Sequence, residues 1–256
     1  MSGNSLHGAT RVLAPEALVR VRVNRAATLE WSCTPHDLPT LAVGWLACEG
    51  VVRAVDEIED LTEDSGADSA VSISVRLADP AFRRLTAGLS RDADLSTRPA
   101  ALTPPHEVVA PVGGSGSGEL RSLLEDQARV AAWFRDMFDG AAIRSNIGGV
   151  HTGGLVVGGA LIYVAEDVSR HHVVDRLVGS ALLGGNPLQN SILLVSARIS
   201  GAMAAKACRA GAGALVSRSV PTELAAAVAG EHGLILVGRA RREKPHYYWP
   251  ERSRSG

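Results

Sequence analysis

Cysteine is scarce in this chain: three residues in 256, Cys33, Cys48 and Cys208. The number is odd and the spacing wide, which excludes a disulfide framework and a CxxC metal knuckle and predicts buried free thiols. An excess of charge of one sign is also missing. The 26 Lys and Arg against 27 Asp and Glu leave a formal net charge of -1, without the basic footprint that nucleic-acid binding needs. The one basic run (Arg239, Arg241, Arg242, Lys244) reads as a solvated end. Long apolar runs are lacking too: none reaches the roughly 18 residues that span a bilayer. At the start, no basic stretch leads into an apolar one, as a secretory signal requires. These absences together predict a cytoplasmic protein with neither nucleic acid nor membrane among its partners.

What is present is ordinary globular material. Hydrophobic residues make up 46% and charged residues 21%, enough apolar content for one large or two modest domains. Alternation over 17–24, a turn at Asn24-Arg25 and a return over 27–33 predict paired strands. Thr34-Pro35 reads as a helix start, Thr as N-cap and Pro at the first position. The helix that follows, apolar on one face, stops at Gly50. Residues 69–77 alternate as a further strand. Residues 95–118 hold Pro99, Pro104, Pro105 and Pro111, then a Gly/Ser run, and read as a mobile loop or linker. A helix is expected over 119–138. Apolar runs then recur at 160–168, 191–197, 214–216 and 234–238, separated by helical patterns at 171–183, 200–210 and 222–231. That rhythm predicts an α/β fold whose sheet is covered on both faces, mixed and largely parallel. The expected organisation is an N-terminal α/β region over 1–94, the loop over 95–118 and a C-terminal α/β/α domain over 119–256.

Polar residues gather where the strands of that second domain end, which is where open α/β sheets bind ligands. The densest stretch runs Glu166-Asp167-Val168-Ser169-Arg170-His171-His172-Val173-Val174-Asp175-Arg176. His151 lies upstream, between Gly148-Gly149 and Gly153-Gly154, and glycines let a backbone approach a ligand closely. Arg198-Ile199-Ser200 and Ser217-Arg218-Ser219-Val220-Pro221-Thr222 follow later strands. Ser200, Ser219 and Thr222 suit helix caps, and Arg198 can grip a phosphate or carboxylate. Lys206 reads as a surface lysine. One reading gives His151, His171 or His172 acid–base work, oriented by Asp167 or Asp175. An equal one makes the imidazoles plain ligand-binding groups. A zinc site is disfavoured, because adjacent histidines diverge and neither HExxH nor HxE…PCxxC occurs; no directly bound metal is expected.

These motifs, taken in order, resemble those of the formate dehydrogenase accessory sulfurtransferase (FdhD) family. The family's EDVGRHNAVDKVIG is similar to Glu166 through Gly179, its TGGxHxA to Ile147 through Gly153, and its SGR…S…K to Ser196, Arg198, Ser200 and Lys206. Its SxSAPT is similar to Ser217 through Thr222, and its closing LVGFxRG to Leu236 through Arg241. Near the start, CTPxDLxxLAVGFLxxEG runs from Cys33 to Gly50. The resemblance covers nearly the whole chain. It implies a cytoplasmic, dimeric protein with an N-terminal α/β region and a cytidine-deaminase-like domain. The implied activity takes sulfur from a cysteine desulfurase to the molybdenum bis-guanine-dinucleotide cofactor of formate dehydrogenase. It also implies a guanine-nucleotide site at Gly148, Gly149, Ser169, Arg170, Arg198, Ser217, Ser219 and Thr222, with His151, His171, His172, Asp167 and Asp175 as the chemical candidates.

One departure bears on the chemistry. Family members carry a persulfide on a CGxCG loop, and the matching stretch here is Val112-Gly113-Gly114-Ser115-Gly116-Ser117-Gly118. A serine hydroxyl offers no sulfur and is poorly ionised at neutral pH. Ile147, Ser169 and His172 also depart from the family's Thr, Gly and Asn. The expectation is a nucleotide-type pocket without persulfide transfer. The rivals are a repurposed His/Asp acid–base enzyme, a purely chaperone-like binding subunit, and residual sulfur transfer through Cys33 or Cys208.

Overall fold

In the computed structural model, which describes residues 12–65, 71–89, 117–241 and 245–248, the first alternating stretches pair as strands. β1 (Ala17–Val23) and β2 (Ala27–Cys33) form a hairpin, with Asn24 and Arg25 both at positive φ in the turn. β3 (Ile58–Ser65) and β4 (Val71–Leu77) complete a four-stranded sheet in the order β2-β1-β4-β3, with β1 and β4 parallel. The acidic β3 is not legible in the sequence. It is an edge strand with one neighbour, where charge on the open side is tolerated and deters further pairing.

The sheet's inner face (Val19, Val21, Trp31, Ile73, Val75) packs under α1 (Leu38–Cys48) and α2 (Asp79–Leu89). α1 departs from expectation twice. It begins at Leu38, with Asp37 as N-cap in the left-handed region, three residues after the predicted start. Thr34 is drawn away from capping: its hydroxyl accepts the Val168 N–H at 3.1 Å. Nor is α1 apolar on one face only; ten of its eleven residues are buried, as befits a helix with protein on all sides. It ends as predicted at Gly50, whose φ is 72°. The Gly50 N–H reaches Ala47 O and the Val51 N–H reaches Leu46 O, a Schellman closure.

The predicted helix over 119–138 is two helices, α3 (Ser117–Glu125) and α4 (Gln127–Asp139), because the Asp126 side chain accepts the Arg129 N–H and starts a new helix. The short α5 (Ala142–Asn146) follows. Then come β5 (His151–Val157), β6 (Ala160–Asp167), α6 (Arg170–Leu183), β7 (Ser191–Val195), α7 (Gly201–Arg209), β8 (Ala214–Ser217), α8 (Glu223–His232), β9 (Ile235–Gly238) and β10 (His246–Tyr248). The second sheet runs β10-β9-β8-β7-β5-β6. It is mixed, and its parallel part is narrower than expected: β7, β8 and β9 are parallel, while β5, β6 and β10 join antiparallel. Alternate strand residues feed two cores. Leu193, Val195, Leu215 and Leu236 face α6–α8, and Ile192, Leu194, Val216 and Val237 face α3 and α4. The Gly/Ser stretch lies outside the described residues up to 116; Ser117 and Gly118 open α3.

The two sheets are joined through α1 and α6. A Cβ on Gly44 would lie 1.7 Å from Asp175 O, and one on Gly179 would lie 2.0 Å from Thr40 O. Only glycine permits helices to cross this closely.

Candidate functional site

β6 runs antiparallel to β5, and β5 antiparallel to β7. The end of β6, the start of β5 and the ends of β7, β8 and β9 therefore fall on one edge of the large sheet. This brings together Gly148, Gly149 and His151, Asp167 to His172, Arg198, and Ser217 to Ser219. Gly148 and Gly149 turn at φ 78° and 74° into β5, and Ala14 lies over Gly149. Three helices start at this edge. The side chain of Ser169 caps α6, that of Ser200 caps α7 and that of Thr222 caps α8, each accepting a backbone N–H. The helix starts aim positive dipole ends and free N–H groups at the edge.

Each strand ending here is followed within three residues by an arginine: Arg170 after β6, Arg198 after β7, Arg218 after β8 and Arg239 after β9. Arg144 of α5 joins them. None of these five forms an ion pair with a carboxylate among the described residues. The acids of the edge are already engaged. Glu166 accepts the Ile143 and Arg144 N–H groups at 2.8 and 2.7 Å, fixing the start of α5. Asp167, fully buried, accepts two hydrogen bonds from Arg176 at 3.0 and 2.9 Å and one from the Ser169 N–H at 2.8 Å. Burial alone would raise the Asp167 pKa. His172, the Arg176 guanidinium and the Ser169 N–H outweigh it and hold the carboxyl below its ordinary value. The edge thus carries an excess of guanidinium charge although the whole chain is nearly neutral, and sequence reasoning singles out only Arg170 and Arg198 of this group. Recurrence of arginine after successive strands is the signal that could have found the others.

The three histidines occupy different settings. His151 opens β5 opposite Asp167 and is half-buried. Desolvation, then Arg170 and Arg144, lower its pKa. His171, also half-buried, is lowered to about 4 by desolvation, Lys206 and Arg170. His172 turns inward, 2% exposed, against Trp31 at 6.1 Å between ring centroids. Its Nδ1 lies 3.6 Å from Asp167 Oδ1, and neither ring nitrogen makes a hydrogen bond among the described residues. The adjacent pair diverges, and among the described residues no group of three His, Cys, Asp or Glu could hold a metal.

Asp175 does not meet an imidazole. Its Oδ1 accepts from Lys206 Nζ at 2.9 Å, and Glu49, the C-cap of α1, accepts from the same ammonium at 2.7 Å. Lys206 is a buried residue, 1% exposed, and not the surface lysine its sequence suggested. Its two carboxylates outweigh desolvation and raise its pKa. Ser217, fully buried, donates to Ala197 O at 2.6 Å and accepts the Ser219 N–H at 2.9 Å, bracing the turns after β7 and β8. The three thiols are buried. Desolvation pushes Cys33 and Cys208 up to about 12, and Cys48 well above its ordinary value.

The model of the FdhD/NarQ family matches residues 14–254. The chain belongs to that family. A sulfur carrier protein FdhD from Streptomyces coelicolor is 33% identical over 260 residues, covering 92% of this chain and 86% of its own. The Bacillus subtilis protein of the same name is 29% identical over 259 residues, covering 94% and 90%. A crystal structure of a formate dehydrogenase accessory protein from Desulfotalea psychrophila superposes with a TM-score of 0.67 at 23% identity, over 94% of this chain and 89% of that one. In this FdhD/NarQ member the family motifs divide in two. Gly44, Gly179, Asp175, Arg176 and Lys206 build the junction between the sheets, and Gly148 to His151, Ser169 to His171, Arg198 and Ser217 to Thr222 line the sheet edge.

Proposed function

We propose that this FdhD/NarQ member is a formate dehydrogenase accessory protein that binds a guanine-nucleotide-type ligand, in full form the molybdenum bis-guanine-dinucleotide cofactor, without carrying sulfur on a cysteine. The observation that carries the reading is the sheet edge, where three capped helix starts meet arginines that have no ion pair among the described residues, and Glu166 and Asp167 are engaged elsewhere. Such an edge suits the phosphates of a nucleotide. Gly148 and Gly149 would let backbone N–H groups approach the ligand, and His151 and His171, kept neutral near pH 7, can hydrogen-bond it. Sulfur transfer lacks support because a persulfide carrier needs an accessible thiolate, whereas all three thiols are buried and held protonated. The partners of this reading are a second copy of the chain and a molybdoenzyme, in the cytoplasm.

Calorimetry and thermal shift with GDP, GTP, ADP and ATP test the binding half. Guanine-selective stabilisation is expected; equal silence from all four removes the nucleotide reading. Incubation with a cysteine desulfurase and L-cysteine, followed by intact mass measurement, tests the other half. An unchanged mass is expected, and a stable gain of one sulfur on Cys33 or Cys208 would restore the carrier role.

A second reading has one observation in its favour: His151 stands opposite Asp167 with its imidazole neutral, the form a general base requires. In that case the protein turns over a small anionic molecule, and His151→Ala abolishes turnover while leaving ligand affinity nearly intact. His171, lowered to about 4, is the weaker base.

A further inference from the structure

We propose that Arg144 and Arg218, held together on the ring of Phe138, form a phosphate clamp that reads the length of the phosphate chain on the ligand of this edge. The inference rests on the nucleotide reading above and deepens it. Phe138 sits at the end of α4, its ring 6.5 Å from that of Phe134 between centroids, so the α4 core anchors it. The Arg144 guanidinium carbon lies 4.9 Å from the Phe138 centroid, and that of Arg218 lies 5.3 Å from it. The two guanidiniums are therefore within about 10 Å of each other,.

Both arms are braced. Glu166 takes the Arg144 backbone N–H and fixes the first turn of α5. Ser217 ties the turn that carries Arg218 to Ala197 O and to the Ser219 N–H. The acid nearest in sequence to this stack, Asp139, makes no ion pair with either guanidinium, and no other carboxylate of the described residues does. Cation–π attraction brings two like charges to one ring, and both residues are exposed, so their donors stay open to an anion from solvent,. A guanidinium presents a planar fork of donors matched to phosphate oxygens. Arg144 stays next to the rest of the edge because Glu166, which accepts its backbone N–H, pairs with Thr152 beside His151 in the β5–β6 ladder. A nucleotide held at the helix starts by its first phosphate would extend its terminal phosphate toward the clamp.

Calorimetric titration with GMP, GDP and GTP, with inorganic pyrophosphate as competitor, tests this. In the wild-type protein, affinity should rise from GMP to GDP, and pyrophosphate should displace GDP. Arg144→Gln and Arg218→Gln should each weaken GDP by about tenfold or more while leaving GMP within twofold. Arg218→Lys, which keeps the charge but loses the fork, should recover part of the loss. Unchanged melting temperatures in both Gln variants would separate the effect from folding. If wild type binds GDP but the variants bind it equally well, or weaken GMP and GDP alike, the clamp is wrong while the nucleotide reading stands. If wild type binds no guanine nucleotide and no pyrophosphate, both fall.

Discussion

The buried charges have opposite fates at the level of single residues. Lys206 is held by Glu49 and Asp175 in the interior, and removing it takes the ammonium away from both buried carboxylates, of which Glu49 keeps the Arg209 guanidinium at 3.6 Å. Lys206→Met should cost about 3–5 kcal/mol of stability in urea unfolding; a loss below about 1 kcal/mol would mean that water already reaches the cluster. The histidines of the edge set a pH dependence. His171 is lowered to about 4 in the folded protein, against about 6.5 in the unfolded chain. The unfolded state therefore binds more protons between those values, and the neutral imidazole's stabilisation is lost as pH falls from about 6.5 toward 4. His151 acts in the same direction. Asp167, lowered from its ordinary value, adds a further loss as pH falls through and below that ordinary value, where the unfolded chain takes up the proton first,. Melting temperature should fall between pH 6.5 and 4, and His171→Ala should flatten that fall; an identical profile in the variant would exclude His171 as its source. Lys206 misleads sequence reasoning because a lysine in an amphipathic helix looks the same whether its partner is water or a carboxylate brought in from α1.

Among the elements, glycine has two different meanings. Gly179 in α6 faces Thr40 O so closely that no side chain fits. Gly179→Ala, which would favour an isolated helix by up to about 1 kcal/mol, should here destabilise by about 2 kcal/mol or more through overpacking. Gly230 in α8 has open space where a methyl group would go, with nothing within 4 Å, so Gly230→Ala should stabilise by up to about 1 kcal/mol. Chemical denaturation of the two variants checks the opposite signs. The units β7-α7-β8-α8-β9 were legible because their apolar runs and capped helices follow each other in short, regular order. β3, α2, α5 and β10 were not. β3 is an acidic edge strand and β10 three residues long, while α5 owes its start to a carboxylate from β6. Of the hairpin of β5 and β6, the apolar run over 160–168 marked the second strand, and the Gly158-Gly159 turn with both φ positive separates it from β5.

For the whole molecule, the decisive contacts cross between the two sheets. Arg176 of α6 donates to Thr34 O, His36 O and Asp37 O while holding Asp167, and Tyr163 donates to Asp37 at 2.9 Å. These ties predict one cooperative unfolding transition. Calorimetry resolving two would show that the halves fold independently, and Arg176→Met should then affect only one of them. The sequence by itself determined the α/β class, the family and the run of polar residues after the strands. Those properties rest on local periodicity, capping and motif order, which neighbouring residues carry. Only the tertiary structure decided which charged residues face the edge and which are locked inside. Asp175, Arg176 and Lys206 stand in the same motifs as Arg170 and Arg198, yet they became interior struts because α1 packs over them and the residues at its two ends supply partners. The arginines of the sheet edge have no ion pair among the described residues because the nearby acids were claimed by backbone N–H groups and by Arg176, a balance of distances that no local pattern records.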